Sequence, residues 1–353
     1  MVTSLVGMVK KPIWPWPAAA LALAVSSCGG GAGPSSPSTS PTPSVPTYSV
    51  TATVFYDQNG NGQLDGNENA RVPGVDVVIG TGTGRSATGS GQAVVSGVQQ
   101  GTLNVALRTE SLPYYYQPLA LPSIQVPGTN DVRVALTLPI GRNNPNLYLG
   151  LGDSITDGTG SSDGLGYTRK LQDLLGPHFG RAEVREWGRQ GDSSAETAEV
   201  TRPTLSWFNP AYTLILLGTN DWHDQACQGR PAASCYTVAE LRSIVRDVKS
   251  WDSLPVLGTI PPVNPARAPE SRNRWYDDMN VLIKAMAAQE QVAVADLNAE
   301  MKAAGNLSAL FADDVHPNDA GYQLLAQAWF KAITRGRAAA TSAGAPGFGF
   351  RLF

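Results

Sequence analysis

Asn146-Leu147-Tyr148-Leu149-Gly150-Leu151-Gly152-Asp153-Ser154 is an apolar run of strand length that closes on small and polar residues. Such a run reads as a buried strand. Four further candidate strands follow, at 182–187, 211–217, 255–260 and 292–297. The stretches between them are amphipathic. Val238, Leu241, Val245 and Val248 share one helical face, as do Trp275, Met279, Leu282 and Met286, and then Tyr322, Leu325, Trp329 and Ile333. Thr237-Val238-Ala239-Glu240 has the spacing of a capping box. Strands alternating with helices predict an α/β domain over 146–335, a doubly wound parallel sheet of five strands.

In such a sheet, sites form beyond the carboxyl ends of the strands. Gly152, Gly191 and Gly218 each follow a predicted strand directly or by a short loop. Ser154 then sits at a strand-to-helix turn. A serine hydroxyl is a poor nucleophile at neutral pH and needs a base, usually a histidine oriented by a carboxylate. The chain has three histidines, His178, His223 and His316. Only His316 has an acid three residues before it, Asp313, and a helix-forming stretch after it. Asp314 is a second acid, nearer in sequence. Asp153 is expected to fix the turn. His178, after Gly176-Pro177, reads as a loop residue, and His223 and Asp224 as part of a polar surface loop, with pocket lining or metal binding as the alternative.

Four segments of 146–335 resemble the blocks of the SGNH, or GDSL, hydrolases. They are Gly152-Asp153-Ser154-Ile155-Thr156, Gly188-Arg189-Gln190-Gly191-Asp192-Ser193, Gly218-Thr219-Asn220-Asp221, and Asp313 to His316 followed by Pro317. The resemblance implies a flavodoxin-like fold and a serine esterase that needs no cofactor for catalysis. It implies Ser154 as nucleophile, His316 as base and Asp313, rather than Asp314, as orienting acid. The oxyanion donors it implies are the Ser154 and Gly191 N–H groups and the Asn220 side chain. Many relatives carry an Asn two positions before the glycine matching Gly188; here it is Glu186, followed by Trp187.

The N-terminal part is segmented differently. Lys10 and Lys11 precede the apolar run Ala18 to Val25, which is too short to span a bilayer. Val25-Ser26-Ser27-Cys28 resembles a bacterial lipobox. That implies a signal peptide over 1–27, lipidation of Cys28 and a place in the bacterial envelope, in the outer membrane or at the cell surface. Residues 28–47 are rich in Gly, Ser, Pro and Thr and read as a tether. Residues 48–140 read as a small β-sandwich, with strands at 48–56, 75–79, 93–95, 103–107 and 132–136. The tail 336–353 is rich in small residues and reads as disordered.

Asp57-Gln58-Asn59-Gly60-Asn61-Gly62-Gln63-Leu64-Asp65-Gly66-Asn67-Glu68 matches D-x-[DN]-x-[DN]-G-x₅-E. Side-chain oxygens of Asp57, Asn59, Asn61, Asp65 and Glu68, with the Gln63 carbonyl, suit Ca²⁺. The surrounding segment resembles the SdrD B-like, Cna-B-like modules of bacterial surface proteins, which implies a calcium-stiffened spacer. Tyr114-Tyr115-Tyr116 reads as packing, with glycan stacking as the alternative. Cys227 and Cys235 are expected to pair, since an exported chain meets an oxidising compartment.

A net charge of −3 gives no basic excess for nucleic acid. The expected substrate is a small-molecule or glycan ester with a short acyl group, such as an O-acetylated carbohydrate. The polar Trp222–Cys235 insertion and the lack of a lid-like apolar segment favour it. A lipase, a thioesterase, an acyltransferase and an adhesion protein on a hydrolase scaffold are the alternatives.

Overall fold

Thr47–Tyr56 is rich in β-branched and aromatic residues, with Val50, Ala52, Val54 and Tyr56 on one face, and this stretch forms strand β1 in the interior of a four-stranded sheet. The computed structural model describes residues 45–335. The expected signal peptide, Cys28, the tether up to residue 44 and the tail 336–353 lie outside them. After β1 come β2 (Asp76–Ile79), β3 (Gly82–Arg85), β4 (Gln92–Gln99), β5 (Gly101–Leu107), β6 (Gln117–Pro118), β7 (Ser123–Val126) and β8 (Asp131–Thr137). They make two sheets of four, in the orders β4-β1-β8-β6 and β3-β2-β5-β7. Val50, Ala52, Val54, Val77, Ile79 and Val95 fill the core between them. Strands β3, β6 and β7 are additions to the sequence reading: β3 holds two glycines and β6 is two residues long, so neither carries a periodic signal.

The second half runs β9 (Asn144–Gly152), α1 (Ser154–Asp157), α2 (Gly166–Phe179), β10 (Glu183–Gly188), α3 (Ser194–Phe208), β11 (Pro210–Leu216), α4 (Thr237–Ser250), β12 (Leu254–Gly258), α5 (Glu270–Glu290), β13 (Ala293–Ala295), α6 (Leu297–Lys302) and α7 (Asp319–Thr334). All pairings are parallel and the order is β10-β9-β11-β12-β13. This is the flavodoxin-like α/β arrangement. Strand β11 is buried at every position, as a strand covered on both faces must be. Tyr148, Leu214 and Val256 pack with α2 and α7 on one face. Leu149, Leu151, Ile215 and Leu257 pack with α3, α4 and α5 on the other. Among the described residues no helix is long and apolar enough to cross a membrane.

Two local expectations change. The Thr237–Glu240 segment does start α4, but its N-cap is Tyr236 and no side chain caps it. The Thr237 hydroxyl donates instead to the buried carboxylate of Asp221. The reciprocal capping box is at Ser193 and Glu196, at the start of α3. His178 is helical, in the last turn of α2, and packs edge-on against Phe179 and Phe330.

The β module and the α/β layers lie within one compact unit. Tyr116 stacks on Phe179 at 6.1 Å and meets Tyr56 edge-on at 6.2 Å. The Tyr115 ring contacts Tyr212, its hydroxyl donates to the Pro255 carbonyl at 2.5 Å, and Tyr212 stacks on Tyr148 at 4.8 Å. Arg71 N–H donates to the Phe179 carbonyl at 3.1 Å. The tyrosine run is therefore packing: its rings supply apolar area, and its hydroxyl satisfies a carbonyl at the start of β12. Residues 45–335 are expected to melt in a single calorimetric transition. Tyr116→Ala should cost about 3–5 kcal/mol, the range for truncating a buried aromatic. Two separate transitions in the wild type would contradict a shared core.

Candidate active site

Gly152 is paired with Gly188 on one side and with Leu216 on the other, so β9, β10 and β11 end at one level. Three loops leave from that level. The first enters α1 directly. Asp153 is its N-cap, fully buried, with Oδ1 accepting the Ile155 N–H at 2.9 Å. Gly188 is required where β10 passes this turn: a Cβ there would lie 2.1 Å from Asp157 N. The Gly188 N–H is held by the Glu186 carboxylate at 2.9 Å, a brace supplied by the residue that departs from the family pattern.

Ser154 Oγ lies 2.9 Å from His316 Nε2, and His316 Nδ1 lies 2.7 Å from Asp313 Oδ2. Burial alone would raise the Asp313 pKa. The His316 N–H, the His316 ring and the Val315 N–H outweigh it and hold this carboxyl below its ordinary value. An ionised carboxylate only accepts hydrogen bonds, so Nδ1 carries the ring proton and Nε2 faces the serine as acceptor. Asp314 does not reach the imidazole. Its carboxylate is half exposed and lies 3.6 Å from Arg272 Nη1.

Asn220 Nδ2 donates to the Asp192 carbonyl at 2.9 Å, which sets the carboxamide one residue from Gly191. An amide nitrogen has a second N–H. Gly191 has φ +85°, a left-handed conformation in which glycine is unstrained, and open space where a Cβ would be. The loop after β11 is anchored by Asp221, which is fully buried. It accepts the Ser194 N–H at 2.9 Å, the Ser194 hydroxyl at 2.6 Å and the Thr237 hydroxyl. Cys227 and Cys235 form a disulfide, and Cys235 Sγ lies 3.1 Å from Thr237 Oγ1. The polar insertion is thus tied to the residue that follows Asn220.

Asn264 holds the loop that carries Asp313 and His316: its N–H donates to the Asp314 carbonyl and its Nδ2 to the Asp313 carbonyl. The sequence reading passed over it, although its position in Pro261-Pro262-Val263-Asn264-Pro265 after a predicted strand is a signal of a shaped loop. His223 lies in a single 3₁₀ turn after Asn220. Burial first, then the Arg272 charge, lowers its pKa, with Asp314 opposing. Asp224 accepts the Ala226 N–H within its own turn.

In the N-terminal loop, Asp57 takes the Gly60 and Gly62 N–H groups and Glu68 those of Gln58 and Asp65. Asp65 accepts from the Asn59 and Asn61 amides, and the Gln63 N–H donates to Asn61. Among the described residues no three His, Cys, Asp or Glu side chains are gathered as a metal-binding group. The donor chemistry fits a hard cation nonetheless: Asp57 and Glu68 are buried, and the nearby Arg71 guanidinium goes to the Glu68 and Ala70 carbonyls instead. Buried carboxylates ordinarily have a cationic partner or a metal.

Residues 151–324 match the GDSL-like Lipase/Acylhydrolase family. The structure is similar to a lipase/acylhydrolase from Enterococcus faecalis (20% identity, TM-score 0.46, 54% of this chain and 95% of that one). It is also similar to an acetylxylan esterase from Geobacillus stearothermophilus (22%, TM-score 0.46, 54% and 95%). A lipolytic G-D-S-L family protein from Veillonella parvula gives 21%, a TM-score of 0.45, 54% and 98%. A comparison with curated proteins found no match.

Burial raises the Asp153 pKa to about 7; the Ile155 N–H opposes this, while Asp221 and Asp192 add to it. The neutral carboxyl therefore favours the folded state fully below about pH 4, and that advantage fades as pH rises toward 7. In thermal melts, the stability of Asp153→Asn relative to wild type should rise between pH 4.5 and 8, by a few kcal/mol at most. A difference that stays flat with pH would show that Asp153 is ionised in the fold.

Proposed function

From residues 151–324 as a carboxylic ester hydrolase domain of the GDSL-like lipase/acylhydrolase family, we propose that this chain removes short acyl groups, such as O-acetyl, from carbohydrate. The observation that carries the reading is the unbroken Ser154–His316–Asp313 chain, at 2.9 and 2.7 Å. Ser154 Oγ attacks the ester carbonyl carbon while His316 Nε2 takes the hydroxyl proton. The tetrahedral oxyanion is met by the Ser154 and Gly191 N–H groups and the Asn220 amide. The carbon–oxygen bond to the leaving alcohol then breaks, and His316 returns its proton to that oxygen. Water, deprotonated by His316, attacks the acyl-serine and releases the acid. Asp313 stays ionised and keeps the ring in the useful tautomer.

The polar surroundings support a hydroxyl-rich substrate. Gln190 Nε2 donates to Asp157 at 2.8 Å, and Arg189 pairs with Asp192 at 3.4 Å, both around Gly191. The polar Trp222–Cys235 insertion lies beside Asn220. The wider setting of the proposal is an exported protein, anchored through lipidated Cys28 and carrying Ca²⁺ in the loop from Asp57 to Glu68. The sequence patterns and the two buried loop carboxylates support that setting.

Hydrolysis of p-nitrophenyl esters from acetate to palmitate tests the reading. Acetate should be the best substrate, and Ser154→Ala should abolish turnover and labelling by a fluorophosphonate. Asn220→Ala should lower kcat by about 10²–10³, the cost of one oxyanion donor. A palmitate optimum would move the assignment to lipid, and an unlabelled wild type would leave only a binding role. Calcium at about 100 times its Kd should stabilise the wild type by roughly 2.7 kcal/mol. Chelator should reverse this, and Asp57→Ala should show neither effect.

A further inference from the structure

Helix α5 begins with a pair that the mechanism above does not use. Arg272 and Tyr276 stand one turn apart and are 5% and 0% exposed. Arg272 Nε donates to the Tyr276 hydroxyl at 2.8 Å, and the guanidinium carbon lies 5.5 Å from the ring centroid. The Tyr276 hydroxyl donates in turn to the Thr219 carbonyl at 2.8 Å. That carbonyl belongs to the peptide whose N–H is that of Asn220. On its other side, Arg272 Nη1 lies 3.6 Å from the Asp314 carboxylate, next to Asp313.

A guanidinium cannot shed its proton, so burying one costs several kcal/mol before any partner offsets it. One exposed carboxylate at 3.6 Å is a weak offset. A buried ion of this kind is weak evidence of added stability, and in some proteins it fixes geometry instead. The planar fork can also serve two partners in different directions at once, which a lysine ammonium on a flexible stem does poorly. Here the two partners lie on the two loops that must act together. One loop carries the oxyanion amide, the other the base and its carboxylate.

We propose that Arg272 is a positioning residue for ester hydrolysis, holding the Asn220 peptide through Tyr276 and the Asp313–His316 loop through Asp314 in one frame. The inference rests on the esterase reading. A nucleophile, its base and an oxyanion donor work only when aligned together, and displacement by about 1 Å costs roughly 100-fold in rate. The field of the same cation at His223, in the turn after Asn220, places it at the junction of these loops.

The experiment compares wild type, S154A, R272Q, R272K, Y276F, D314N and the double variants R272Q/Y276F and R272Q/D314N on p-nitrophenyl acetate. Active sites are titrated with a fluorophosphonate, so that misfolded protein does not count. R272Q should lower kcat per titrated site about 10–100-fold, with KM within about two-fold of wild type. Y276F and D314N should each lose part of this, and R272K should recover little of it. Each double variant should be no more than about two-fold slower than R272Q, because the partners lie on one path. D314N alters a half-exposed side chain, so it reads the same path where R272Q folds poorly. Multiplying losses in the doubles, or a kcat per site that R272Q and D314N both keep, would overturn the inference. A wild type as inactive as S154A would remove the esterase reading and this inference with it. An active wild type matched by both R272Q and D314N removes the inference alone.

Discussion

The constraint on which the site depends is a register. Parallel pairing sets Gly152 opposite both Gly188 and Leu216, and every chemical group is measured from that line. Strand β9 delivers Ser154 two residues beyond it, β10 delivers Gly191 three residues beyond, and β11 delivers Asn220 four residues beyond. A slip of one residue in any strand would exchange its two faces and carry its loop along the sheet. The buried faces oppose such a slip, because Tyr148 and Leu149 already belong to different cores. His316 then crosses 162 positions of sequence to meet the serine.

Carboxylates do much of the local work, and each is used differently. Asp313 is ionised because three donors outweigh its burial. Asp221 is buried but has three donors of its own and so serves as a fixed post for the loop that carries Asn220. Asp153 is as deeply buried, yet one N–H meets only Oδ1 and no partner meets Oδ2. Its proton is therefore retained to higher pH. For Asp313 and Asp153, the donors that meet each carboxyl decide which is held below its ordinary pKa and which above it.

The β module is joined to the α/β layers by side chains and by the Arg71 N–H on the Phe179 carbonyl rather than by strand pairing. Tyr115 and Tyr116 reach Pro255, Tyr212 and Phe179, covering one face near the amino ends of the strands. The chemistry lies at the opposite, carboxyl ends. The module is placed to stabilise the sheet without entering the site.

Much of this was legible in the chain itself. Apolar runs marked most of the parallel strands, though not Glu183–Gly188, and their alternation with amphipathic stretches marked the fold. Residues that must follow a strand end, such as Ser154, Gly191 and Asn220, could be named because local order along the chain places them. The Asp313–His316 spacing likewise carried its own geometry. What the sequence left open were contacts between distant segments. Thr237 had the pattern of a cap, but its hydroxyl found Asp221 closer than its own helix end. Arg272 and Tyr276 carried no signal of their own in the sequence, since the carbonyl that Tyr276 meets lies 57 residues away. The charge state of Asp153 depends on what excludes water around it. Periodicity and spacing determine which element a residue rides on; only packing decides which partner it meets and how much solvent remains.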